Sequence, residues 1–188
     1  IDSHVYRWDG AQFELAQAIP THCAHDWEAF VIDGNVYLAV ANSYDGSNWN
    51  VDSVVYRWDG TTFVHHQAIP TVGACDWESF VLDGATHLAV ANFRDAATWN
   101  VDSIVYRWDG AAFVPQQAIA TSGAFDWEAF TVDGATYLAV ANNHDDGTYT
   151  ADSRIYRHDG AAFVEADALR TDGASAWHFF TADGASYL

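Results

Sequence analysis

Pairs of carboxylates two residues apart recur along this sequence every 50 residues. The pattern Asp-Trp-Glu occupies 26–28, 76–78 and 126–128, whereas the fourth copy has Ala176 and His178 at the two acidic positions. In an extended strand, residues i and i+2 point to the same face, roughly 7 Å apart. That separation suits an acid and base pair acting on a glycosidic bond. Three copies of one active site are unusual in an enzyme, so glycoside chemistry is the less favoured interpretation.

The same carboxylates could bind a cation if their strands line a common axis. Like charges gathered at one axis are raised in energy unless a cation shares them, and Ca²⁺ prefers oxygen ligands. A calcium site is therefore one hypothesis, with Asp26, Asp76 and Asp126 as its ligands. The other is structural: each carboxylate accepts hydrogen bonds from the backbone of the neighbouring unit.

A second set of candidate residues lies in a longer, variable segment near the end of each of the first three repeats. An aromatic ring flanked by carboxylate and amide groups is typical of a sugar-binding pocket, and one pocket per repeat would give multivalency. The alternative is that these rings anchor the loops between units. The candidate ligand-binding residues are Asp45, Asn48, Trp49, Asp95, Thr98, Trp99, Asp145, Asp146 and Tyr149.

The remaining reactive residue types give no catalytic or metal motif. The nine histidines do not recur with the repeat, so their spacing indicates no zinc site. Cys23 and Cys75 occupy different repeat positions, which argues against a shared disulfide framework. One arginine does recur, and in so acidic a chain we expect it to pair with a nearby carboxylate such as the Asp of Asp-Gly. Its copies are Arg7, Arg57, Arg107 and Arg157.

The charge balance restricts the classes of partner. Asp and Glu number 26 against 7 basic residues, which gives a formal net charge of −19. Such a surface repels nucleic acid and anionic lipid headgroups and favours cations or basic protein patches. No apolar stretch is long enough for membrane insertion. The acidic surface suits a salty external medium, so we expect an extracellular or cell-surface protein, and the interior of a halophile is the alternative with the same composition.

The elements that position these residues follow from the repeat itself. The chain aligns on itself at a step of 50 without insertions, which gives repeats 1–50, 51–100, 101–150 and 151–188 in a single domain. Asp-Gly dipeptides between apolar runs predict type I′ hairpin turns. Each unit therefore has four strand-like runs, which is the make-up of a propeller blade. In the first unit they are His4–Trp8, Phe13–Ile19, Trp27–Ile32 and Val36–Ala41.

The pattern of burial predicts how these strands are shared among blades. The runs DWEAF and YLAVAN are apolar enough to lie near the centre of an all-β propeller with four-stranded antiparallel blades. Whole blades would then span 21–70, 71–120 and 121–170, with 171–188 plus 1–20 as a composite blade. Three outcomes stay open: a four-bladed closure, an eight-bladed homodimer made by exchange of blade halves, or part of a larger propeller.

The repeat also resembles a known family. The segments VYRWDG, QAIPT, GAxDWExF and DGxxYLAVAN resemble the EAR repeat, also called epitempin or EPTP repeat, of leucine-rich glioma-inactivated proteins and bacterial and invertebrate relatives. This resemblance implies a β-propeller, usually of seven blades, that acts in extracellular protein recognition without catalysis. We therefore predict a non-catalytic module that binds a protein ligand through one rim of the propeller, with a multivalent lectin as the alternative.

Overall fold

The strand-like runs of each repeat form β-strands in the computed structural model, which describes residues 1–188. β-branched and aromatic residues fill these runs and Gly, Asp or Asn bounds them, which favours short strands joined by tight turns. There is no helix, and hence none that could span a membrane. The strands are β1 (Asp2–Trp8), β2 (Phe13–Pro20), β3 (Ala24–Ile32), β4 (Asn35–Asn42), β5 (Asn50–Trp58), β6 (Phe63–Val72), β7 (Ala74–Leu82), β8 (Ala85–Asn92), β9 (Asp102–Trp108), β10 (Phe113–Ala120), β11 (Ala124–Val132), β12 (Ala135–Asn142), β13 (Asp152–His158), β14 (Phe163–Arg170), β15 (Phe180–Ala182) and β16 (Ala185–Tyr187).

The strands assemble into three four-stranded antiparallel sheets. Blade 1 has the order β3-β4-β5-β6, blade 2 the order β7-β8-β9-β10 and blade 3 the order β11-β12-β13-β14. Each blade takes its two inner strands from the end of one repeat and its two outer strands from the start of the next. Among the innermost strands, β7 lies against both β3 and β11. The predicted all-β propeller class is confirmed.

Successive blades bury apolar faces against each other. Phe30 and Tyr37 on blade 1 form one core cluster with Trp77, Tyr106 and Phe113 on blade 2. A second cluster, one repeat later, joins blades 2 and 3 in the same way. Because each blade is the packing surface of the next, the blades cannot bury their apolar faces alone.

A buried tryptophan links each blade to the one before it by a hydrogen bond as well. The Trp77 Nε1–H donates to the Val40 carbonyl at 3.1 Å, and the Trp127 Nε1–H donates to the Val90 carbonyl at 3.0 Å. The indole therefore contributes both apolar area and a satisfied polar group at the interface.

Only one of the two Asp-Gly dipeptides in each repeat forms a type I′ turn. Asp33 and Gly34 both have positive φ, 49° and 78°, as that turn requires. At the other dipeptide only Gly10 has positive φ, and the Asp9 Oδ1 accepts hydrogen bonds from the Ala11 and Gln12 backbone N–H groups. The type I′ prediction is wrong there, because four residues separate β1 from β2 and the Asp caps this longer loop.

The two ends of the chain form separate two-stranded sheets. We refer to β1-β2 as the N-terminal half-blade and to β15-β16 as the C-terminal half-blade. They do not pair with each other, so the composite blade of 171–188 plus 1–20 is not formed. Their aromatic side chains are correspondingly open: Phe13 is 69% exposed, Phe180 is 51% and Tyr187 is 47%.

Candidate functional site

The Asp residues of the Asp-Trp-Glu pattern bind the innermost segment of the next unit. This segment is β7 for Asp26, β11 for Asp76 and the stretch before β15 for Asp126. An innermost strand has one edge without a partner strand, so its backbone N–H groups need other acceptors. In each case an Asp Oδ2 accepts from the backbone N–H of the tryptophan in the following unit. The pairs are Asp26 with Trp77 at 3.2 Å, Asp76 with Trp127 at 2.9 Å and Asp126 with Trp177 at 2.7 Å.

The Glu residues of the pattern bind the same strand edge two residues further on. Each Glu Oε1 accepts a backbone N–H of the following unit, so the two carboxylates of a pair occupy successive free donors. The pairs are Glu28 with Ser79 at 3.3 Å, Glu78 with Ala129 at 2.8 Å and Glu128 with Phe179 at 2.8 Å. The structure thus has the bonds that the structural interpretation of the pattern requires.

Burial between the inner strands changes the acidity of these carboxyls. It raises the pKa of Glu78 to about 8 and that of Asp126 to about 6, with smaller contributions from neighbouring carboxylates. The pKa of Asp76 is raised well above its ordinary value by burial and then by the charges of Asp126 and Asp26. Burial also raises the pKa of Asp26. The charge of a neighbouring aspartate therefore contributes to the raised pKa of Asp76 and of Asp126.

Mutual influence does not by itself make a metal centre. No three His, Cys, Asp or Glu side chains are grouped so that they could hold a metal ion. Asp26, Asp76 and Asp126 each commit one oxygen to the next blade. As placed, they do not form the convergent oxygen shell that Ca²⁺ needs, and calcium binding stays a prediction from the sequence.

The candidate loop aspartates shape their own loops. In each loop the Asp Oδ1 accepts hydrogen bonds from the backbone N–H groups two and three residues later, at 2.7–3.1 Å. These bonds lower the pKa of Asp45 and Asp95. They join Asp45 to Ser47 and Asn48, Asp95 to Ala97 and Thr98, and Asp145 to Gly147 and Thr148. Asn48 in turn accepts from the Asn50 backbone N–H at 3.0 Å.

The loop aromatic residues form a continuous stack across the three blades. We define the loop ladder as Tyr44, Trp49, Arg94, Trp99, His144 and Tyr149. Within it, Tyr44 packs on Trp49 with ring centroids 4.7 Å apart. The Arg94 guanidinium lies 5.0 Å from the Trp49 centroid and 3.9 Å from the Trp99 centroid. His144 then packs between Trp99 at 4.4 Å and Tyr149 at 4.6 Å.

This ladder limits what the loop aromatics can bind. Trp49 and Trp99 each contact two ladder neighbours, so their rings are largely occupied, whereas Tyr149 is 64% exposed. The sequence interpretation named Trp49, Trp99 and Tyr149 but missed Tyr44, Arg94 and His144. These three residues lie 50 residues apart at one repeat position, and that shared position could have indicated a common role.

Asp146 joins the loops of blades 2 and 3. Its carboxylate accepts from the Thr98 Oγ1–H at 2.6 Å, the Trp99 backbone N–H at 2.6 Å and the Asn100 Nδ2–H at 2.9 Å. These bonds lower the pKa of Asp146. All nine candidate residues therefore lie on one surface, which we call the loop face: residues 43–49, 93–99 and 143–149.

Sequence comparison matches the EPTP domain to residues 12–59, 62–109 and 112–159. The chain belongs to the EPTP domain family. The human protein "Thrombospondin-type laminin G domain and EAR repeat-containing protein" is 45% identical to this EPTP chain over 51 residues, and its mouse counterpart is 47% identical over 51 residues. Each alignment covers 26% of this chain and 8% of the relative. The predicted resemblance is confirmed.

Comparison of structures shows the same fold in proteins of distant sequence. The GH43_1 enzyme from Xanthomonas citri in complex with xylose superposes with a TM-score of 0.52 at 18% identity, over 78% of the EPTP chain and 54% of the enzyme. The enzyme without the sugar gives a TM-score of 0.50 at 20% identity, over 76% and 55%. The EPTP chain thus spans about half of these enzymes, and the likeness is one of fold.

The recurring arginines of the EPTP chain do not form the predicted ion pairs. The one Arg–carboxylate pair within 4.0 Å joins Arg154 to Glu165. That prediction is wrong because the Asp-Gly carboxylates bind their own loops. Asp9 and Asp59 each accept hydrogen bonds from two backbone N–H groups of the loop in which they lie. Arg94, which does not recur, has instead a role in the loop ladder.

Two recesses open between blades close to the loop face. One, of about 490 Å³, lies between blades 2 and 3 and is lined by Asn100, Gln117, Ser122, Arg154 and Glu165 among others. The other, also about 490 Å³, lies between the N-terminal half-blade and blade 1, where Asp45 and His22 line it. A partner on the loop face would therefore contact both the loops and the recesses between blades.

Proposed function

We propose that this EPTP chain is a non-catalytic, extracellular binding module that recognises a protein ligand through the loop face. The observation that carries the proposal is the loop ladder, which holds the loops of three blades as one surface. A surface held in place before binding costs less conformational entropy when a partner docks. Loops positioned by a rigid scaffold are also where propeller-like folds commonly place recognition.

The variable side chains on this surface favour one asymmetric partner. The loops read SYDGSNWN, FRDAATWN and NHDDGTYT, so the exposed groups differ from blade to blade while the ladder positions keep aromatic or cationic residues. Asp45, Asp95, Asp145 and Asp146 make the loop face acidic. A partner with a basic patch would complement it and would associate faster at low ionic strength.

The fate of the Asp-Trp-Glu carboxylates supports a role without catalysis. Every one of these six carboxylates accepts a hydrogen bond from the next unit. They therefore serve blade contacts, whereas a catalytic pair must reach a substrate bond. The relatives' names cite thrombospondin-type laminin G and EAR repeat regions, which agrees with an extracellular setting for this acidic chain.

A glycan is the alternative ligand, and one observation favours it. Tyr149 offers an exposed ring beside Thr148 and Asp145, as a sugar-stacking site would. Because Trp49 and Trp99 are covered within the ladder, such a site would be single in this chain, which weakens the multivalent form of the lectin hypothesis.

The test compares charge-neutral variants on opposite faces of the propeller. The loop variant combines Asp45→Asn, Asp95→Asn and Asp145→Asn, since Asn keeps an oxygen acceptor for each loop. The control combines Asp33→Asn, Asp83→Asn and Asp133→Asn at the hairpin turns on the other rim. Tetramerised wild type and both variants are screened against a panel of purified extracellular protein domains and against a glycan array.

We expect protein binding that weakens about tenfold or more in the loop variant and stays within twofold in the control. Circular dichroism checks that both variants fold like wild type. Equal losses in both variants would exclude the loop face, and binding to glycans alone would establish the lectin alternative.

A further inference from the structure

Between blades 2 and 3, two histidines and a glutamine occupy the positions that hold a cluster of rings between blades 1 and 2. Between blades 1 and 2, Tyr37, His66 and Trp108 pack together, with ring centroids 5.3 Å apart for Tyr37–His66, 5.5 Å for His66–Trp108 and 5.7 Å for Tyr37–Trp108. One repeat later the same positions hold His87, Gln116 and His158. The chain thus contains its own comparison for this substitution.

His87 is buried, and only one of its two ring nitrogens makes a hydrogen bond. The side chain is 2% exposed and stacks on Phe80 with centroids 5.3 Å apart, as Tyr37 stacks on Phe30 at 5.6 Å. Its Nδ1 lies 3.0 Å from the Ala85 carbonyl oxygen and therefore donates to it. The buried Nε2 has no hydrogen-bond partner.

The groups around His87 would not accommodate a positive charge. Burial is the main cause that lowers its pKa, and the positive charge of Arg107 and the neighbouring His158 lower it further. Arg107 is its register partner on β9, and His158 faces it from β13 of blade 3. On β7 it meets the Phe80 ring. The Ala85 carbonyl and the Gln116 amide of β10 act in the opposite direction without carrying charge.

We propose that the contact between blades 2 and 3 is acid-sensitive, and that protonation of buried His87 loosens it while the contact between blades 1 and 2 stays closed. A charged His87 would lie in the apolar cluster opposite Arg107 and His158, and separating the two blades lets water reach it. Because the loop face crosses this interface through Asp146 and His144, its shape would change with the contact. The proposal does not depend on which ligand the loop face binds.

The direction of the pH effect follows from the lowered pKa of His87. A histidine whose folded pKa lies below its unfolded value favours the folded state above about pH 6.5, and this advantage is lost as pH falls. The carboxylates Glu78 and Asp126 near the same interface behave oppositely, because their raised pKa values make acid favourable. The experiment must therefore isolate His87 by difference.

Two backbone amides report separately on the two interfaces. The Phe163 N–H donates to the Gln117 Oε1 across blades 2 and 3 at 2.9 Å, and the Phe113 N–H donates to the Gln67 Oε1 across blades 1 and 2 at 2.8 Å. Both acceptors are uncharged side-chain amides. Hydrogen exchange of these amides, measured by NMR at pH 7.5 and 5.5 and corrected for intrinsic rates, follows the opening of each interface.

We expect acid to reduce the protection of Phe163 by up to about tenfold relative to Phe113 in the wild type, the limit for a group with a free pKa near 6.5. His87→Tyr, which restores the residue found at 37 and 137, should show no such loss of protection, because only the opposite effect of the carboxylates then remains. The control His66→Gln, which copies Gln116, should keep it.

An equal response of Phe163 in wild type and His87→Tyr would overturn the proposal, as would an NMR titration in which His87 protonates at or above pH 6.5. If His87→Tyr folds poorly, His158→Trp serves as the second variant, because Trp108 is the residue at that position between blades 1 and 2. That variant removes one of the two basic residues that lower the pKa of His87, so it should reduce the acid response of Phe163 rather than abolish it.

Discussion

Glu78 makes the inner strands respond to pH. Its pKa of about 8 lies above the value of a free glutamate, chiefly because the side chain is buried. A carboxyl with a raised folded pKa favours the folded state at low pH and loses this contribution as pH rises from about 4.5 to 8. Between pH 5 and 9 the wild type should therefore lose stability that a neutral isostere would keep.

The variant Glu78→Gln tests this sign, because its amide oxygen can still accept the Ala129 N–H. After allowance for solvent screening, we expect the wild type to lose on the order of 1 kcal/mol relative to the variant, or about 2–4 °C in Tm. Thermal unfolding at pH 5, 7 and 9 measures the difference. Parallel Tm curves for the two proteins would contradict it. Asp33→Asn, in an exposed hairpin turn, is the control.

Trp77 combines a buried indole with a hydrogen bond to the preceding blade. Trp77→Phe removes the donor to the Val40 carbonyl and shortens a side chain that is only 2% exposed. We expect a loss of about 2 kcal/mol in unfolding free energy. Trp177, which is partly exposed and whose Nε1 has no hydrogen-bond partner, provides the comparison, since Trp177→Phe should cost less than half as much. Urea unfolding measures both, and equal losses would show that the bond contributes little.

At the level of the elements, the glycine that precedes the innermost strand of blade 2 allows neighbouring loops to pack closely. Gly73 has φ +57° and donates its N–H to the Trp49 carbonyl at 2.7 Å, and an added Cβ would meet the Arg94 carbonyl oxygen at 2.5 Å. In the first repeat this position is Cys23, which is exposed and takes φ +46° in spite of its side chain. The closest contact at Gly73 is therefore with Arg94 in the loop that follows it, and the Trp49 ring of the preceding loop lies 3.3 Å from the added Cβ.

Two substitutions at this position should move stability in opposite directions. We expect Gly73→Ala to cost more than about 2 kcal/mol through strain and contact, and Cys23→Gly to gain about 1 kcal/mol by relieving the left-handed backbone. Gly84→Ala is the control, because φ is +77° there but no atom lies within 4 Å of the added Cβ. Denaturant unfolding ranks the three. A cost for Gly73→Ala no greater than for Gly84→Ala would remove the packing argument.

Sequence reasoning reached the elements whose cause is local. The strands and the Asp33-Gly34 turn follow from residue type, and the hydrogen bonds of Asp26 and Glu28 were one of two stated options. The loop ladder was not foreseen, because Tyr44, Arg94 and His144 share a position but no chemistry, and their contacts join different blades. The error over Arg57 has the same origin: its expected partner Asp59 is satisfied within its own loop.

For the whole molecule, the strand pairing found within blades 1 to 3 predicts how the two half-blades would pair with each other. Within a blade, β4 pairs with β5 so that Tyr37 lies opposite Arg57 and Leu38 opposite Tyr56. Carried over by the repeat, the free edge of β16 would place Tyr187 opposite Arg7 of β1. In this structure these two edges are separate, so each leaves strand donors and acceptors unpaired.

A polypeptide of these 188 residues should therefore self-associate in solution. Phe30 packs on Phe113 of the next blade with ring centroids 5.7 Å apart. Phe180 occupies the same repeat position as Phe30 and is 51% exposed, so its ring could make an equivalent contact with another blade. We expect light scattering to give a molar mass that rises with concentration toward two chains, and Phe180→Asp to hold it at one. Val81→Asp, at a 67%-exposed site away from the half-blades, should leave the association unchanged. A mass of one chain at every concentration would instead mean that blade halves are not exchanged between chains.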